Sequence, residues 1–280
     1  MPLIQKLDIC FGQSSCGGIL FNAFLPPCLD QGEVVGIAGS HHVVAVAQEQ
    51  IVTCWTFSEA GGWEPIGRSP KLEQRIDLIA INVKLGARGD NTVAIACGGK
   101  IRLWEVGTRR SGAQPAAAWA ADEFSEQELT TLDLLVKVDS LFYIGSQLVA
   151  LSRTGRVGVR NAMTQQWQIQ EVQRITSFER CGLLLLLGCA DGSIYYVDLE
   201  KFPLRIKDND LLVNHLHSDS SKEAITALSV YASPSSSTER CLEIAYGTQG
   251  GSVRVIIQVR GVDSIVNNNM NIQNAIFKND

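Results

Sequence analysis

The chain has 280 residues, 45% of them apolar and 19% charged, a balance that supplies a sizeable buried core and excludes global disorder. Its formal net charge of -5 would repel a polyanion, and no basic stripe offsets it: Arg109 and Arg110 sit in one loop, while Lys201, Arg205 and Lys207 alternate with acids, so nucleic acid is not an expected partner. The longest apolar run, Leu183 to Leu187, is far short of the roughly 18 residues of a membrane span; with no charged-then-apolar signal in Met1 to Cys10, no membrane insertion and a cytoplasmic location are expected.

In chain order the sequence repeats one phrase: an apolar β-rich run, a tight turn, then an alternating strand that carries a bulky apolar residue. A leading segment, residues 1–30, comes first. His41 and His42 are adjacent and fall on opposite faces of an extended chain, so they cannot jointly hold a metal. The first copy is VVAVAQEQIVTCWTF from Val43; its turn, Gln48 to Gln50, lacks glycine and gives the weakest hairpin signal of the series. Ser58 to Pro70 has breaker composition and is expected to be an insert, with Trp63 in GGWEP a candidate exposed contact. RIDLIAINV from Arg75 alternates as a strand does. After an insert at Gly86 to Asn91, the second copy, VAIACGGKIRLWEV from Val93, turns at Gly98-Gly99. Its CGGK lacks the spacing of a phosphate-binding loop and leads into a strand rather than a helix. Gly107 to Ser125 reads as another insert, and Ala116 to Leu135, Ala-rich and acidic, is the best helical stretch, expected between blades.

VKVDSLFYI from Val136 is the next expected strand, followed by the third copy, LVALSRTGRVGVRNA from Leu148, turning at Thr154-Gly155. Trp167 in TQQWQIQ is a second candidate exposed contact. VQRITSFER from Val172 precedes the fourth copy, LLLLGCADGSIYYVDL from Leu184, whose Asp191-Gly192 turn has too few oxygen ligands for calcium. KFPLRIKDNDLL, Lys201 to Leu212, is charged, contains Pro203, and cannot all be core; Lys201, Phe202, Arg205, Lys207, Asp208 and Asp210 are therefore nominated as a protein-binding loop. His215 and His217 in NHLHSD would share a strand face with Asp219, but a loop is expected there. EAITALSVY from Glu223, a Pro/Ser-rich insert at Ser233 to Arg240, and the fifth copy, IAYGTQGGSVRVIIQV from Ile244 with its Gly250-Gly251 turn, complete the series. The tail, residues 259–280, becomes Asn-rich and is expected to be disordered.

A hairpin, the strand before it and a strand leading onward make a four-stranded antiparallel blade. The expected fold class is all-β: a WD-repeat-type β-propeller over residues 31–258, incomplete, with about five to six blades. Trp55, Trp104, Arg160, Val197 and Ile256 occupy the bulky position of the five copies. Arg160 departs from the pattern, so its strand either lies on an outer edge or its stem lies along the sheet. Trp55 and Trp104 are expected in the core. The eight cysteines are scattered with no Cys-x-x-Cys pair, as befits free thiols, and no metal or cofactor is expected. Without a nucleophile elbow, a zinc-protease helix or a convergent pair of carboxylates, catalysis is not expected either.

QSSCGGILFNAFLPP from Gln13, HHVVAVAQEQIVTCW from His41, the stretch from Ser140 through ITSF, LLLLLGCADGSIYYVDLEKFPLRIKDNDLLVNHL from Leu183, and EIAYGTQGGSVRVIIQ resemble the WD-repeat branch of the potassium-channel-tetramerisation-domain (BTB/POZ) proteins, a branch with a member that binds the Cbl-interacting Src-homology-3 adaptor. KFPLRIKDNDLL and AYGT are far more specific than a generic repeat match. The resemblance implies a BTB domain ahead of this sequence and further blades after it, oligomerisation through that domain, and protein partners of channel or signalling-adaptor type. The Pro-Arg motifs by which the adaptor-binding member recruits its partner lie past the last residue, so that activity is not carried over. Where the family phrase has tryptophan, this chain has Arg160. The expected function is a non-catalytic interaction scaffold; the alternatives are the substrate-receptor part of a cullin ubiquitin ligase and a propeller enzyme with a site in its central channel.

Overall fold

The computed structural model describes residues 33–40, 43–58, 62–83, 91–106, 130–160, 165, 167–199, 213–232 and 240–260. The chain divides into two compact units, residues 1–143 and 144–280. In the first unit, β1 (Val34–Ser40), β2 (Val43–Gln48), β3 (Ile51–Ser58) and β4 (Gly62–Arg68) form one antiparallel sheet in chain order. β5 (Leu78–Val83), β6 (Asn91–Cys97), β7 (Lys100–Val106) and β8 (Thr130–Asp133) form the next. The third sheet is built from β9 (Ser140–Ile144), in which the unit boundary falls, with β10 (Gln147–Leu151), β11 (Arg156–Arg160) and β12 (Trp167–Glu171). In the second unit follow β13 (Ile175–Cys181), β14 (Leu184–Cys189), β15 (Ser193–Asp198) and β16 (Asn214–Ser218), and then β17 (Ile225–Ala232), β18 (Arg240–Thr248) and β19 (Val253–Arg260). All five sequence copies are hairpins, and among the described residues there is no helix.

Each of the four four-stranded sheets has a burial gradient that follows from its strand order. The second strands are covered on both faces and so read as unbroken apolar runs: every residue of β10 and of β14 is buried. The fourth strands are edges, and β4, β12 and β16 bury no residue completely. In the first unit Val43, Ala45, Val52 and Cys54 of the first sheet pack with Val93, Ile95, Trp104 and Val106 of the second. In the second unit Leu184, Leu186 and Ile194 pack with Ile225, Ile244, Tyr246 and Ile256. A fully buried Ile or Leu contributes about 2 kcal/mol through removal of apolar surface from water, so each cluster outweighs any single polar contact on its rim.

The fourth strands are where sequence expectation and structure part. Ser58 to Pro70, expected as an insert, contains β4, and Pro65 is accommodated there because an edge strand leaves one row of N–H groups without a ladder partner. The end of the expected helical stretch, Thr130–Asp133, is β8; its earlier part, through 129, lies outside the described residues. NHLHS, expected as loop, is β16, with a bulge opposite Ile194/Tyr195. Arg160 is not on an edge: β11 pairs with both β10 and β12, placing Arg160 opposite Leu148 on one side and Trp167 on the other. Leu183 is in the turn before β14 and 42% exposed, so the apolar run begins one residue ahead of its strand.

Candidate interaction surface

In the four four-stranded sheets the hairpin turn between the second and third strand is bonded to the connector that leaves the fourth strand. In the first sheet the N–H groups of Leu72 and Ile76 donate to the carbonyls of Gln50 and Glu49 at 2.9 and 2.7 Å. In the second, Leu134 and Val138 donate to Gly99 and Gly98, both at 2.9 Å. The repeat is one of spacing as well as of bonds: an apolar pair four residues apart, buried on both members, pins the connector across the turn. Val172 and Asp219 donate in the same way to Gly155 and Gly192. At Gly155, with φ of 111°, a Cβ would fall on the Val172 carbonyl oxygen, so glycine is required there by close approach as well as by the backbone. This end of the sheets is thus closed by main-chain bonds, leaving a rigid frame for exposed side chains.

One polar cluster joins the connector after β16 to the fifth sheet. Asp219, its side chain wholly buried, accepts at Oδ1 from the Ser221 N–H (2.8 Å) and hydroxyl (2.6 Å). At Oδ2 it accepts from the Tyr246 hydroxyl (2.7 Å) and from Arg254 Nη1. Since Tyr246 gives its proton to Asp219, it accepts from His217 Nε2 at 3.2 Å, which fixes the proton of that ring on Nε2. Burial alone would raise the Asp219 carboxyl, but the bonds from Ser221 and Tyr246, with Arg254, pull it down to about 2. Burial, with the bond to Asp219, pushes the Tyr246 phenol up to about 12. The carboxylate's acceptor positions are filled, so it is a fixed anion that clamps two sheets together and not a proton-transfer group. The sequence pattern offers Asp219 only as a face-mate of His215 and His217 and gives no role to Arg254; Tyr246 falls in AYGT, a phrase that carries the family resemblance rather than a site.

The buried thiols do no visible chemistry. Burial pushes Cys54 far up and, with Asp191 nearby, Cys189 up to about 12; Cys97 and Cys189 donate to the carbonyls of Gln74 and Gln173. A protonated thiol in an apolar setting is a core residue. Among the described residues no group of three or more metal-ligating side chains occurs, and no helix is long and apolar enough to cross a membrane.

Of the nominated contact residues, Trp63 and Trp167 are described. Trp63 lies on the edge strand β4, half-buried, with its ring edge-on to the 38%-exposed Phe57 at a centroid distance of 5.3 Å. Trp167 opens the edge strand β12, also half-buried, opposite Arg160. They are on separate sheets. Lys201, Phe202, Arg205, Lys207, Asp208 and Asp210 fall in 201–212, outside the described residues, as do His41, His42 and the tail from 261.

The sequence profile of the SHKBP1/KCTD3 C-terminal β-propeller family matches residues 33–273. Among curated proteins, the human BTB/POZ domain-containing protein KCTD3 is 39% identical over 92% of this chain and 37% of its own length. The bovine SH3KBP1-binding protein 1 is 45% identical over 92% of this chain and 44% of its own. The chain therefore spans less than half the length of either relative. Sqt1 of Saccharomyces cerevisiae is a solved structure with a TM-score of 0.48 and 13% identity, covering 84% of this chain and 63% of that one.

Proposed function

The chain belongs to the SHKBP1/KCTD3 C-terminal β-propeller family, and from that premise we propose that it works as a non-catalytic protein-interaction platform for cytoplasmic partners of the channel-subunit or trafficking-adaptor kind. The observation that supports the reading is a contrast between the sheets' fixed and open parts: turn ends locked by connector bonds and, in the second unit, a saturated buried carboxylate, against the edge strands β4 and β12, which present the half-buried Trp63 and Trp167. A frame of that kind holds contact residues in place without moving parts. The bovine relative is named for binding SH3KBP1, in keeping with a protein-binding role for this family. Lys201, Phe202, Arg205, Lys207, Asp208 and Asp210 form the proposed contact loop, with Trp63 and Trp167 as aromatic anchors. When the same chain is carried on an oligomerising BTB domain, linked copies gain avidity for clustered targets through effective concentration.

The test is quantitative recovery of bound proteins from a cytosolic extract by the immobilised chain and by a variant lacking Lys201 to Leu212. Recovery of saturable partners is expected to fall at least about tenfold, the loss that a cluster of contact side chains commonly carries. Unchanged recovery removes the loop from the reading, and capture of a cullin by this chain alone would favour the ubiquitin-ligase alternative.

A further inference from the structure

Asp219 enters β17 through a tight turn, closed by the Lys222 N–H donating to the Asp219 carbonyl at 3.1 Å, with Ser220 and Ser221 exposed at its corner. The two hydroxyls differ in their engagement. Ser221 Oγ donates to Asp219 Oδ1 and accepts from the Glu223 N–H at 3.4 Å. Ser220 Oγ faces outward and accepts a long contact, 3.5 Å, from Arg254 Nη1, the same nitrogen that donates to the buried Asp219 Oδ2. One guanidinium thus stands between a buried carboxylate and an exposed alcohol.

We propose that Ser220 is a phosphorylation site, and that its phosphate draws Arg254 away from Asp219 and loosens the junction between the fourth and fifth sheets. A phosphoserine brings about -1.5 to -2 charges and three strong acceptor oxygens at neutral pH, and guanidinium binds such a group through two parallel bonds. Arg254 is 26% exposed and already touches the oxygen that would carry the phosphorus, so it reaches the new group by a small swing of its side chain. Asp219 keeps Ser221 and Tyr246 but loses its guanidinium, and a second anion now stands beside it. Thr176 and Ser177 still donate to the Ile225 carbonyl, at 2.7 and 2.6 Å, so the junction loosens without coming apart. Glu223, three residues after the serine and only partly buried, fits an acid-directed serine kinase. In the transfer, Ser220 Oγ forms a bond to the γ-phosphorus of ATP while the bond from that phosphorus to the β,γ-bridging oxygen breaks; ADP leaves, and the hydroxyl proton passes to the kinase's base.

The experiment has two arms. The full chain incubated with ATP and an acid-directed serine kinase should carry phosphate at Ser220 by peptide mass spectrometry, with none at that position in Ser220→Ala; absence of phosphate at Ser220 in the parent chain overturns the assignment. In the second arm, phosphoserine is incorporated at 220 during translation. The melting midpoint should fall by about 3 to 6 °C, and amide exchange should accelerate in β17 to β19 but not in β10 or β14. In Arg254→Gln the added phosphate should shift the midpoint less than half as far, since the guanidinium it competes for is gone. An unchanged midpoint and exchange pattern in the phosphoserine chain, or an equal shift with and without Arg254, overturns the mechanism; the exchange measurement on the parent chain decides the matter should Arg254→Gln not fold.

Discussion

A carboxylate with none of its side chain exposed persists at Asp219 because four donor bonds replace the water it has lost. Its carboxyl titrates at about 2 in the folded chain against an ordinary value of 3.8, so the folded state binds this proton more weakly than the unfolded state does. The associated stability, about 2 kcal/mol, is complete above pH 4 or so and is lost as pH falls toward 2. Urea midpoints measured between pH 5 and pH 2.5 should show that loss, and Asp219→Asn should abolish this component while lowering stability at pH 7 by about 2 to 4 kcal/mol, because its amide N–H groups face donors. Equal pH slopes in parent and variant would mean that another group carries the acid sensitivity. Two glycines separate steric from conformational demand in the same way. Gly155 has a positive φ and a carbonyl where a Cβ would lie; Gly251, at φ of 85°, has open space. Gly155→Ala should cost at least about 2 kcal/mol more than Gly251→Ala, whose cost of roughly 1 kcal/mol is backbone strain alone. Denaturant curves for the two variants check the difference. At this scale the sequence was informative about turns, since glycine writes its conformation into the text. It does not reveal the pairing of Asp219 with Arg254, which lie 35 residues apart and meet through the register of two sheets.

At the scale of elements, every expected hairpin formed, including the one whose turn has no glycine. There Glu49 takes the left-handed conformation itself, at φ of 48°, while its N–H donates to the Glu33 carbonyl at 3.2 Å. Glu49→Gly keeps that bond and relieves the strain, so it should raise stability by about 0.5 to 1 kcal/mol; a destabilised variant would show that the Glu49 side chain contributes more than its backbone costs. The strands that no sequence phrase marks are β1, β4, β8, β12 and β16, and they have a common reason: each lies at the edge of its sheet. Edge strands are short and half-solvated, so they carry neither the unbroken apolar run of β14 nor a clean alternation. Polar content then reads as loop in NHLHS and as insert in GWEPIGR. The pairs Leu72/Ile76 and Leu134/Val138 were a usable signal that went unread: apolar residues four apart are expected of helices, and here they fasten extended connectors to turns.

Across the molecule's four four-stranded sheets one gradient repeats, and it predicts how they open. Second strands such as β2, β10 and β14 have ladder partners on both sides and buried residues on both faces. Fourth strands have one ladder partner and half-exposed side chains. Local opening needs less free energy where fewer apolar contacts are lost, so native-state amide exchange should be slowest in β2, β10 and β14 and faster by about a hundredfold or more in β4, β12 and β16. That factor corresponds to roughly 3 kcal/mol of local stability, comparable to the burial of one or two aliphatic side chains. The ordering bears directly on the interaction reading, because the half-buried Trp63 and Trp167 sit on the strands predicted to open first. An aromatic anchor on such a strand can adjust to a partner while the middle of its sheet stays fixed. If exchange were instead uniform across all four strands of a sheet, each sheet would open as a single unit, and the two tryptophans could serve only as rigid contacts.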